Sequence, residues 1–489
     1  MSAMNHDQRQ LIAGADFSRQ LDVVFVNAPL RDYAIRPRVN DFTLPALGMA
    51  YIATYAAHQG FNVGVLDAEA HGLTTDEVQA ILTSVAPRWV GFNLLAPTYN
   101  LSATIAAGLP ASIRIMAGGH QAKALPTEIL ADPRFVNLDA LILGEAELRV
   151  ATLLGDTATR AQLPQVMWRD KSLGTINTGH GDRSLLAPAI DDLPVLDRRY
   201  LADDPYCDKL GRIEANMVGS RGCPYNCSFC GAAVSANPDV SIRTRKPLGL
   251  LEEMDLLHDR YGVTAFRYVD DLFLGYERFI NACMQAFTEH RVGDRYAWDA
   301  TGRINILYRA PDSLLDTLKA NGCREIALGV ESGSARLLDY MGKRIAPEMT
   351  RQVVRRLTER GINVKGYFIL GFPTETPDEL HATVRHVHDL WEVSDSNPGR
   401  FRASVFEFRP YPGTPEWNRL LATGHYQAEQ LLRYDDIDLT DEGLDEAMRG
   451  RDEFNFSVNI QFGEADLRLV RSQLVALSRE QHERSAAYA

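Results

Sequence analysis

The 489-residue sequence lacks a run of about 20 apolar residues, which is the length that a membrane-spanning helix needs. Its first ten residues, MSAMNHDQRQ, contain no apolar core of the kind found in secretory signal peptides. We therefore expect a soluble protein that is not exported and that works in the cytoplasm. With 45% hydrophobic and 24% charged residues, the composition also excludes a disordered or collagen-like chain.

Runs of basic residues of the kind that follow a nucleic-acid backbone are absent as well. The chain has 64 acidic and 51 basic residues, and its net charge is −13. A nucleic-acid substrate is therefore not expected. The negative charge is compatible with a cationic small substrate, but it does not by itself predict one.

Cysteine is scarce, with six residues in the whole chain, so a small disulfide scaffold is excluded. Three of the six, Cys223, Cys227 and Cys230, nevertheless fall within one short segment. In a cytosolic chain, clustered cysteines are more often metal ligands or redox groups than structural disulfides. The sequence therefore indicates a metal or redox centre near residue 225.

Short apolar runs alternate with helix-like stretches from about residue 21 to residue 150. This alternation predicts an α/β domain with a Rossmann-like, doubly wound parallel sheet that is covered by helices on both faces. In that class, ligands bind beyond the carboxyl ends of the strands. The first predicted turn has no G-x-G-x-x-G fingerprint, so the pattern does not indicate a dinucleotide site.

A second series of about six strand–helix units follows, and it predicts a partial (β/α)6 parallel barrel with its chemistry at the carboxyl ends of the strands. The chain is accordingly divided into an N-terminal extension (1–20), a Rossmann-like domain (21–150), a linker or crossing segment (151–214), a barrel (215–420) and an acidic, largely helical C-terminal region (421–489).

The cysteines at 223, 227 and 230 have the spacing C-x3-C-x2-C. A structural zinc site needs four ligands, and no fourth Cys or His follows at a usual spacing. Three thiolates suit three irons of a [4Fe–4S] cluster and leave the fourth iron open for chemistry. Zinc binding and a redox disulfide are the alternatives to the cluster.

This motif, SRGCPYNCSFCGAA (220–233), with the aromatic Phe229 before its last cysteine, resembles the signature of radical S-adenosylmethionine (SAM) enzymes. The resemblance implies that the three cysteines hold a [4Fe–4S] cluster and that SAM chelates the open iron. An electron from the cluster would then cleave SAM to a 5′-deoxyadenosyl radical that abstracts a substrate hydrogen. It also implies a small-molecule substrate and an electron donor such as flavodoxin or ferredoxin.

Further segments resemble that family at the strand ends, where the barrel requires them. VDD (269–271) stands where the family contacts the methionyl amine, ALGVESGS (327–334) resembles its ribose- or methionyl-binding segment, and Arg303 is a candidate partner for the methionyl carboxylate. The residues implied to contact SAM are Phe229, Asp270, Asp271, Arg303 and Glu331. An N-capping role for Asp271 and an ordinary salt bridge for Glu331 are the alternatives.

The first 150 residues resemble the cobalamin-binding domain that precedes the radical SAM barrel in one subgroup of the family. The matching segments are FVNAP, LPALGMAYIATYAAHQGFNVGVLDAEAHGL, VGFNLLAPTYN, MAGGHQAKALPTE and LILGEAE. The resemblance implies a cobalamin-type site formed by Asp67, Thr98, Gly118, Gly119, His120 and Glu145. The family's D-x-H-x-x-G motif is absent because its histidine is displaced to His71, and His120 is either a cobalt ligand or a turn residue.

Most characterised members of this subgroup are methyltransferases, so the resemblance implies cobalamin-dependent methylation of an unactivated carbon in natural-product or antibiotic biosynthesis. Two alternatives are non-methylating enzymes, namely a radical dehydratase or deoxygenase of a sugar diol, which could be cationic, and a radical cyclase. A third is an iron–sulfur sensor that has lost the chemistry.

Overall fold

The computed structural model describes residues 6–34, 45–170, 172–202, 204–207, 211–232, 242–434 and 456–487. Its strands are β1 (Ile12–Ala13), β2 (Val23–Asn27), β3 (Val63–Asp67), β4 (Trp89–Asn93), β5 (Arg114–Gly118), β6 (Leu138–Ile142), β7 (Val166–Arg169), β8 (Ile176–Thr178), β9 (Tyr206–Cys207), β10 (Ile213–Met217), β11 (Ser220–Arg221), β12 (Arg243–Thr244), β13 (Ala265–Tyr268), β14 (Ala297–Gly302), β15 (Cys323–Glu331), β16 (Asn363–Leu370) and β17 (Phe401–Glu407).

The α-helices of the first half are His6–Gln10, Leu47–His58, Thr75–Val85, Tyr99–Ala107, His120–Ala124, Pro126–Ala131 and Glu147–Gly155. Those of the second half are Pro247–Tyr261, Glu277–Glu289, Val292–Arg295, Ile304–Arg309, Asp312–Ala320, Ala335–Tyr340, Pro347–Glu359, Pro377–Asp395, Pro415–Ala422, Ala428–Leu431 and Leu467–Ala487. None of the helices in the described ranges combines the length and the apolar character that crossing a membrane requires.

The first sheet has the order β1-β3-β2-β4-β5-β6-β7-β8, and strands β2 to β6 run parallel. Successive side chains of β2 enter different cores, since Val23 and Phe25 pack on one face and Val24 and Val26 on the other. Full burial of such a side chain stabilises the fold by about 1.5–3 kcal/mol, which favours a sheet covered on both faces. The doubly wound prediction is confirmed.

The order of the parallel strands reverses between β2 and β4, and this topological switch point is where open α/β sheets bind ligands. At the far edge, β7 and β8 extend the sheet in antiparallel fashion. Both strands come from the segment predicted to cross between the domains. The domain boundaries stay a prediction.

The second sheet has the order β17-β16-β15-β14-β13-β10-β9, with six parallel strands and the short antiparallel β9 at one edge. In β16 every second residue is buried, so one face packs on the surrounding helices and the other lines the lumen. The sheet curls into a half-barrel, which confirms the predicted partial barrel. The carboxyl ends of its strands face the first domain.

The helix Leu467–Ala487 packs against β17 and the helix Pro377–Asp395. Gln481 accepts hydrogen bonds from the Ala403 amide (2.6 Å) and from the indole of Trp391 (3.0 Å). The acidic stretch 435–455 of the predicted C-terminal region lies outside the described residues.

Glu375 is a buried carboxylic acid in the loop after β16. Its Oε2 atom accepts a 2.6 Å hydrogen bond from the Gly371 amide, whereas Oε1 is buried without a partner among the described residues. Burial raises the pKa of Glu375 from 4.5 to about 7. A carboxyl whose pKa is raised by folding stabilises the protein while it is protonated, and this contribution is lost as the pH rises from about 4.5 to about 7.

Glu375→Gln removes this titration, so the stability of the variant relative to the wild type is expected to increase between pH 5 and pH 8. For a pKa shift of this size the full change is of the order of 3 kcal/mol. Melting temperatures of both proteins at the two pH values check this prediction. A difference in melting temperature that stays constant with pH would contradict it.

Candidate functional site

A cavity of about 770 Å³ lies between the carboxyl ends of the two sheets. The first domain contributes the ends of β4, β5 and β6, and the barrel contributes the ends of β10 and β13 and the start of the cysteine loop. Seven of the predicted site residues line this cavity, namely Gly118, Gly119, His120, Glu145, Cys223, Asp270 and Asp271. The other seven are not among the described residues that line it, and they are Asp67, Thr98, Cys227, Phe229, Cys230, Arg303 and Glu331.

The cysteine loop, which we define as residues 222–242, is bracketed by the antiparallel ribbon of β11 and β12. Backbone hydrogen bonds anchor its middle to the barrel, because Ser228 donates to the Met341 carbonyl (2.9 Å) and accepts from the Glu416 amide (2.8 Å). Burial raises the pKa of the Cys223 thiol and brings that of Cys230 to about 11. Thiolates at these positions therefore need a positive partner, which a metal centre supplies.

Arg303 brings a permanent positive charge to the loop. Its Nη1 atom lies 3.6 Å from the Cys227 sulfur, and its guanidinium stacks 3.5 Å from the ring centroid of Tyr225. The Nη2 atom donates to the Lys343 carbonyl (2.7 Å), which fixes the position of the guanidinium group. This geometry directs the arginine toward the cysteines, and its predicted contact with SAM stays a prediction.

Three buried hydrogen-bond donors in or near the loop have no partner among the described residues. They are the Ser228 hydroxyl, the Tyr276 hydroxyl and the Nε atom of Arg303. Leaving such a group unpaired costs about 1–3 kcal/mol each, so the arrangement favours a ligand that supplies acceptors. The sulfides of a [4Fe–4S] cluster and the carboxylate of SAM are acceptors of this kind, and the residues fit both groups.

The described residues contain no group of three His, Cys, Asp or Glu side chains arranged to chelate a single metal ion. In a cubane cluster each cysteine ligates a different iron. Zinc, the alternative named above, needs four ligands that converge on one point.

Two adjacent aspartates after β13 have different environments. Asp270 is buried and accepts hydrogen bonds from the Gly219 amide (2.8 Å) and the Ser220 hydroxyl (3.1 Å), and burial raises its pKa to about 7. The Asp271 carboxylate is accessible from the cavity and accepts from the Gly222 amide, and partial desolvation by the surrounding protein raises its pKa as well. Asp270 therefore holds the entry to the cysteine loop, while Asp271 presents its carboxylate to a ligand.

Glu331 ends β15 with φ +66° and forms a buried ion pair of 2.8 Å with Lys343. The pair lies directly against the backbone of Gly329, where an added Cβ would be 2.3 Å from the glutamate oxygen. The salt bridge named above as the alternative is thus present. Contact between Glu331 and SAM stays a prediction.

Phe229 packs at the ends of β16 and β17 and meets Phe372 edge-to-face at 5.9 Å. It also adjoins the cluster of Phe408 and Trp417. The aromatic residue before the last cysteine therefore fastens the loop to an apolar core. Contact between Phe229 and SAM stays a prediction.

In the first domain, Gly118 and Gly119 form the turn that follows β5. Gly119 has φ +97° and ψ −176°, a conformation that is essentially restricted to glycine. A Cβ there would lie 2.3 Å from the side-chain oxygen of Asn93 and 2.7 Å from the Leu94 carbonyl. The turn therefore packs tightly against the segment that follows β4, and only glycine fits there without a shift of the backbone.

His120 starts the next helix with its imidazole on the cavity surface, near Asp271 and the Gly231 backbone of the cysteine loop. Desolvation lowers its pKa. The structure thus brings His120 to the barrel side of the cavity. A role as a cobalt ligand stays a prediction.

Asp67 and Thr98 make local contacts. Asp67 accepts from the Asn27 side chain (2.8 Å) and the Ala70 amide (3.0 Å), and Thr98 accepts from the Leu95 amide (3.3 Å). Both are buried at strand ends of the first sheet. Their roles in a cobalamin site stay predictions.

Glu145 is paired across the domain boundary. Its Oε2 atom accepts a 2.6 Å hydrogen bond from Arg221, its Oε1 atom accepts one from Arg243, and Arg221 also bonds Glu147 at 2.7 Å. Burial would lower the pKa of Arg221, but the carboxylates of Glu147 and Glu145 hold it above its usual value. Sequence reasoning missed both arginines and Tyr276, although their positions beside the cysteine loop and the VDD segment were a usable signal.

Comparison with known families matches residues 217–387 to the radical SAM superfamily and residues 39–154 to the B12 binding domain. The chain is 27% identical over 417 residues to an uncharacterised methyltransferase of Pyrococcus horikoshii, which covers 84% of this chain and 85% of the relative. It is 24% identical over 443 residues to the cytidylyl-2-hydroxyethylphosphonate methyltransferase of Streptomyces wedmorensis, covering 79% of both. The anaerobic magnesium-protoporphyrin IX monomethyl ester cyclase of Rubrivivax gelatinosus is 25% identical over 365 residues, 72% of this chain and 63% of the cyclase.

Two solved structures share the fold. The radical SAM methyltransferase TsrM from Kitasatospora setae, with cobalamin and a [4Fe–4S] cluster bound, superposes with a TM-score of 0.62 at 18% identity, covering 83% of this chain and 75% of TsrM. The cobalamin-dependent radical enzyme OxsB, with aqua-cobalamin and SAM bound, gives 0.61 at 17% identity, covering 82% and 61%.

The cysteine loop at the mouth of a half-barrel, together with the family match, defines a radical SAM enzyme. More particularly, the chain belongs to the radical SAM enzymes that carry a B12-binding domain in front of the radical domain. Its cofactors are a [4Fe–4S] cluster, SAM and cobalamin.

Proposed function

We propose that this enzyme methylates an unactivated carbon of a small molecule in the biosynthesis of a natural product such as an antibiotic. The observation that carries the proposal is a cavity shared by the two domains, in which Gly118 and Gly119 of the first domain line the same space as Cys223 and Asp271 of the barrel. Groups bound by the first domain and by the cysteine loop would face the same space. The methyltransferase names of the two curated relatives described first support the same reaction.

When bound, a reduced [4Fe–4S] cluster supplies the electron that divides SAM into methionine and a 5′-deoxyadenosyl radical, and cobalamin supplies a transferable methyl group. Cys223, Cys227 and Cys230 would hold three irons, and Arg303 would offset thiolate charge from 3.6 Å. The Asp271 carboxylate would accept a hydrogen bond from the amine of SAM or from a substrate hydroxyl. The remaining proposed SAM contacts are Phe229, Asp270, Arg303 and Glu331, and the remaining proposed cobalamin-site residues are Asp67, Thr98, Gly118, Gly119, His120 and Glu145.

The proposed reaction also needs an electron donor, for which flavodoxin or ferredoxin is suitable, and it would run in the cytoplasm. The cavity wall combines apolar side chains such as Phe25, Met49 and Phe92 with polar groups such as His120 and Asp271. This combination supports a substrate with an apolar body and a few polar anchors.

The test measures two products that are formed from SAM by anaerobically reconstituted protein in the presence of cobalamin and a reductant. Methylation predicts S-adenosylhomocysteine, left when the methyl group moves to cobalamin, together with 5′-deoxyadenosine from radical cleavage. Both products can be quantified by liquid chromatography without knowledge of the substrate. Formation of 5′-deoxyadenosine without any S-adenosylhomocysteine would refute the methyltransferase proposal.

That second outcome would favour a non-methylating radical enzyme. The similarity to the magnesium-protoporphyrin ester cyclase supports a radical cyclase as the second candidate, although the chain covers only 63% of that relative. A cyclisation would consume SAM only to generate the radical, so S-adenosylhomocysteine would be absent.

A further inference from the structure

Four charged residues join the first domain to the cysteine loop, and we call Glu145, Glu147, Arg221 and Arg243 the interdomain clamp. Arg221 and Arg243 are direct partners in the β11–β12 ladder, so their side chains leave the ribbon next to each other. Each takes a different oxygen of Glu145, and Arg221 also holds Glu147. Two positive charges thus meet two negative ones across the domain boundary.

Further contacts restrict both sides of the clamp. The guanidinium of Arg221 lies 5.2 Å above the ring of Tyr51, and Arg243 donates to the Pro188 carbonyl at 2.6 Å. On the other side, the buried Arg149 ties down the turn that carries Glu145, donating to the backbone carbonyls of Leu143 (3.0 Å) and of Glu145 itself.

The clamp is also largely shielded from water. The arginine side chains are 16% and 17% exposed, and those of Glu145 and Glu147 are 27% and 3% exposed. Ion pairs on an open surface contribute little to stability, whereas removing one partner of a buried pair leaves an uncompensated charge and costs several times more. Loss of one clamp residue is therefore expected to destabilise the whole interface between the cysteine loop and the first domain.

The position of the clamp gives it a specific consequence. Its arginines stand at the two ends of the cysteine loop, and its glutamates follow β6 on the wall of the shared cavity. Both ends of the loop are therefore held at a fixed place relative to the first domain. A group bound at the cysteines and a group bound at the first domain depend on this link for their separation.

We propose that the interdomain clamp is a positioning device that aligns the cysteine loop with the first domain and thereby couples SAM bound in the barrel to cobalamin. This inference rests on the proposed function. Radical cleavage of SAM needs the barrel alone, whereas methyl transfer from SAM to cobalamin needs both domains in register. Arg221, Arg243 and Glu147 act through this alignment and are not themselves catalytic.

Arg243→Met is the variant that tests the inference. We expect S-adenosylhomocysteine formation with added cobalamin to fall at least tenfold, while 5′-deoxyadenosine formation stays within twofold of wild type. Arg243→Lys keeps the charge and should recover part of the loss. The matched control is Arg402→Met, which breaks a two-bond ion pair with Glu325 (2.6 and 2.7 Å) inside the barrel and should leave the ratio of the two products unchanged. Equal loss of both products in Arg243→Met would overturn the inference.

Hydrogen–deuterium exchange of the reconstituted protein without cobalamin supplies an independent readout. In Arg243→Met, the amides of residues 138–155 and those of the β11–β12 ribbon should both exchange faster than in the wild type. If this variant folds poorly, Glu147→Gln should show the same two changes. Exchange that changes on only one side of the interface, or on neither, would overturn the clamp. If wild type forms no S-adenosylhomocysteine, the proposed function fails, but coupled exchange would still establish the clamp.

Discussion

Cys227→Ala is expected to reduce the iron content from about four atoms per chain to less than one and to reduce 5′-deoxyadenosine formation to background. Each of the three cysteines supplies the one protein ligand to its iron, so loss of a thiolate opens a second iron and destabilises the cluster. Cys227 is the most enclosed of the three, at 6% exposure, and it lies beside Arg303. Iron analysis and the electron paramagnetic resonance signal of the reduced protein measure the effect.

The control for this variant is Cys207→Ala. Cys207 is exposed on the edge strand β9 and pairs with Ile213 at the start of β10, which is the end of the barrel opposite to the cysteine loop. Its replacement should leave the iron content and the cleavage of SAM at wild-type levels. Full iron content and normal 5′-deoxyadenosine formation in Cys227→Ala would contradict the assignment of the cluster.

Gly119→Ala is expected to weaken cobalamin binding at least tenfold. The φ of +97° costs a non-glycine residue about 1–3 kcal/mol, and the new methyl group would meet Asn93 and Leu94 at distances below van der Waals contact. The turn must shift to relieve this clash, and a cost of 1.4 kcal/mol already corresponds to a factor of about ten. Titration with hydroxocobalamin, followed by its visible spectrum, measures the dissociation constant.

Gly60→Ala is the matched control for the effect of backbone strain alone. Gly60 has a similar φ of +91°, but no atom lies within 4 Å of its added Cβ, and the residue follows the helix Leu47–His58. This variant should lose stability through backbone strain and keep the wild-type affinity for cobalamin. Unchanged binding in Gly119→Ala would show that the turn after β5 does not support the cofactor.

Much of the fold could be predicted because its signals are local. The apolar runs that predicted the strands reappear as β2 to β6 and as the six parallel barrel strands, since buried parallel strands leave near-continuous apolar segments in the sequence. The strands β7 and β8 have only four and three residues, and all but one of their side chains are half-exposed or exposed. Strands this short carry too little periodicity to be distinguished from a loop.

The candidate site was predictable only in part, for a physical reason that two pairs illustrate. Asp270 and Asp271 are adjacent in the sequence and both line the cavity, yet Asp270 is buried and hydrogen-bonded to Gly219 whereas Asp271 is exposed. Which of the two aspartates is buried depends on the path of the turn after β13 and not on residue type. The link between Arg221 and Glu145 spans 76 positions and two domains, so no local pattern could reveal it.

The formation of 5′-deoxyadenosine by the wild-type protein tests the central claim most directly. Anaerobically reconstituted protein is mixed with SAM and a strong reductant, and the nucleoside is quantified over time. The account predicts repeated formation that depends on the reductant and disappears in Cys227→Ala. Protein with its full complement of iron and a reducible cluster that yields no 5′-deoxyadenosine would contradict it.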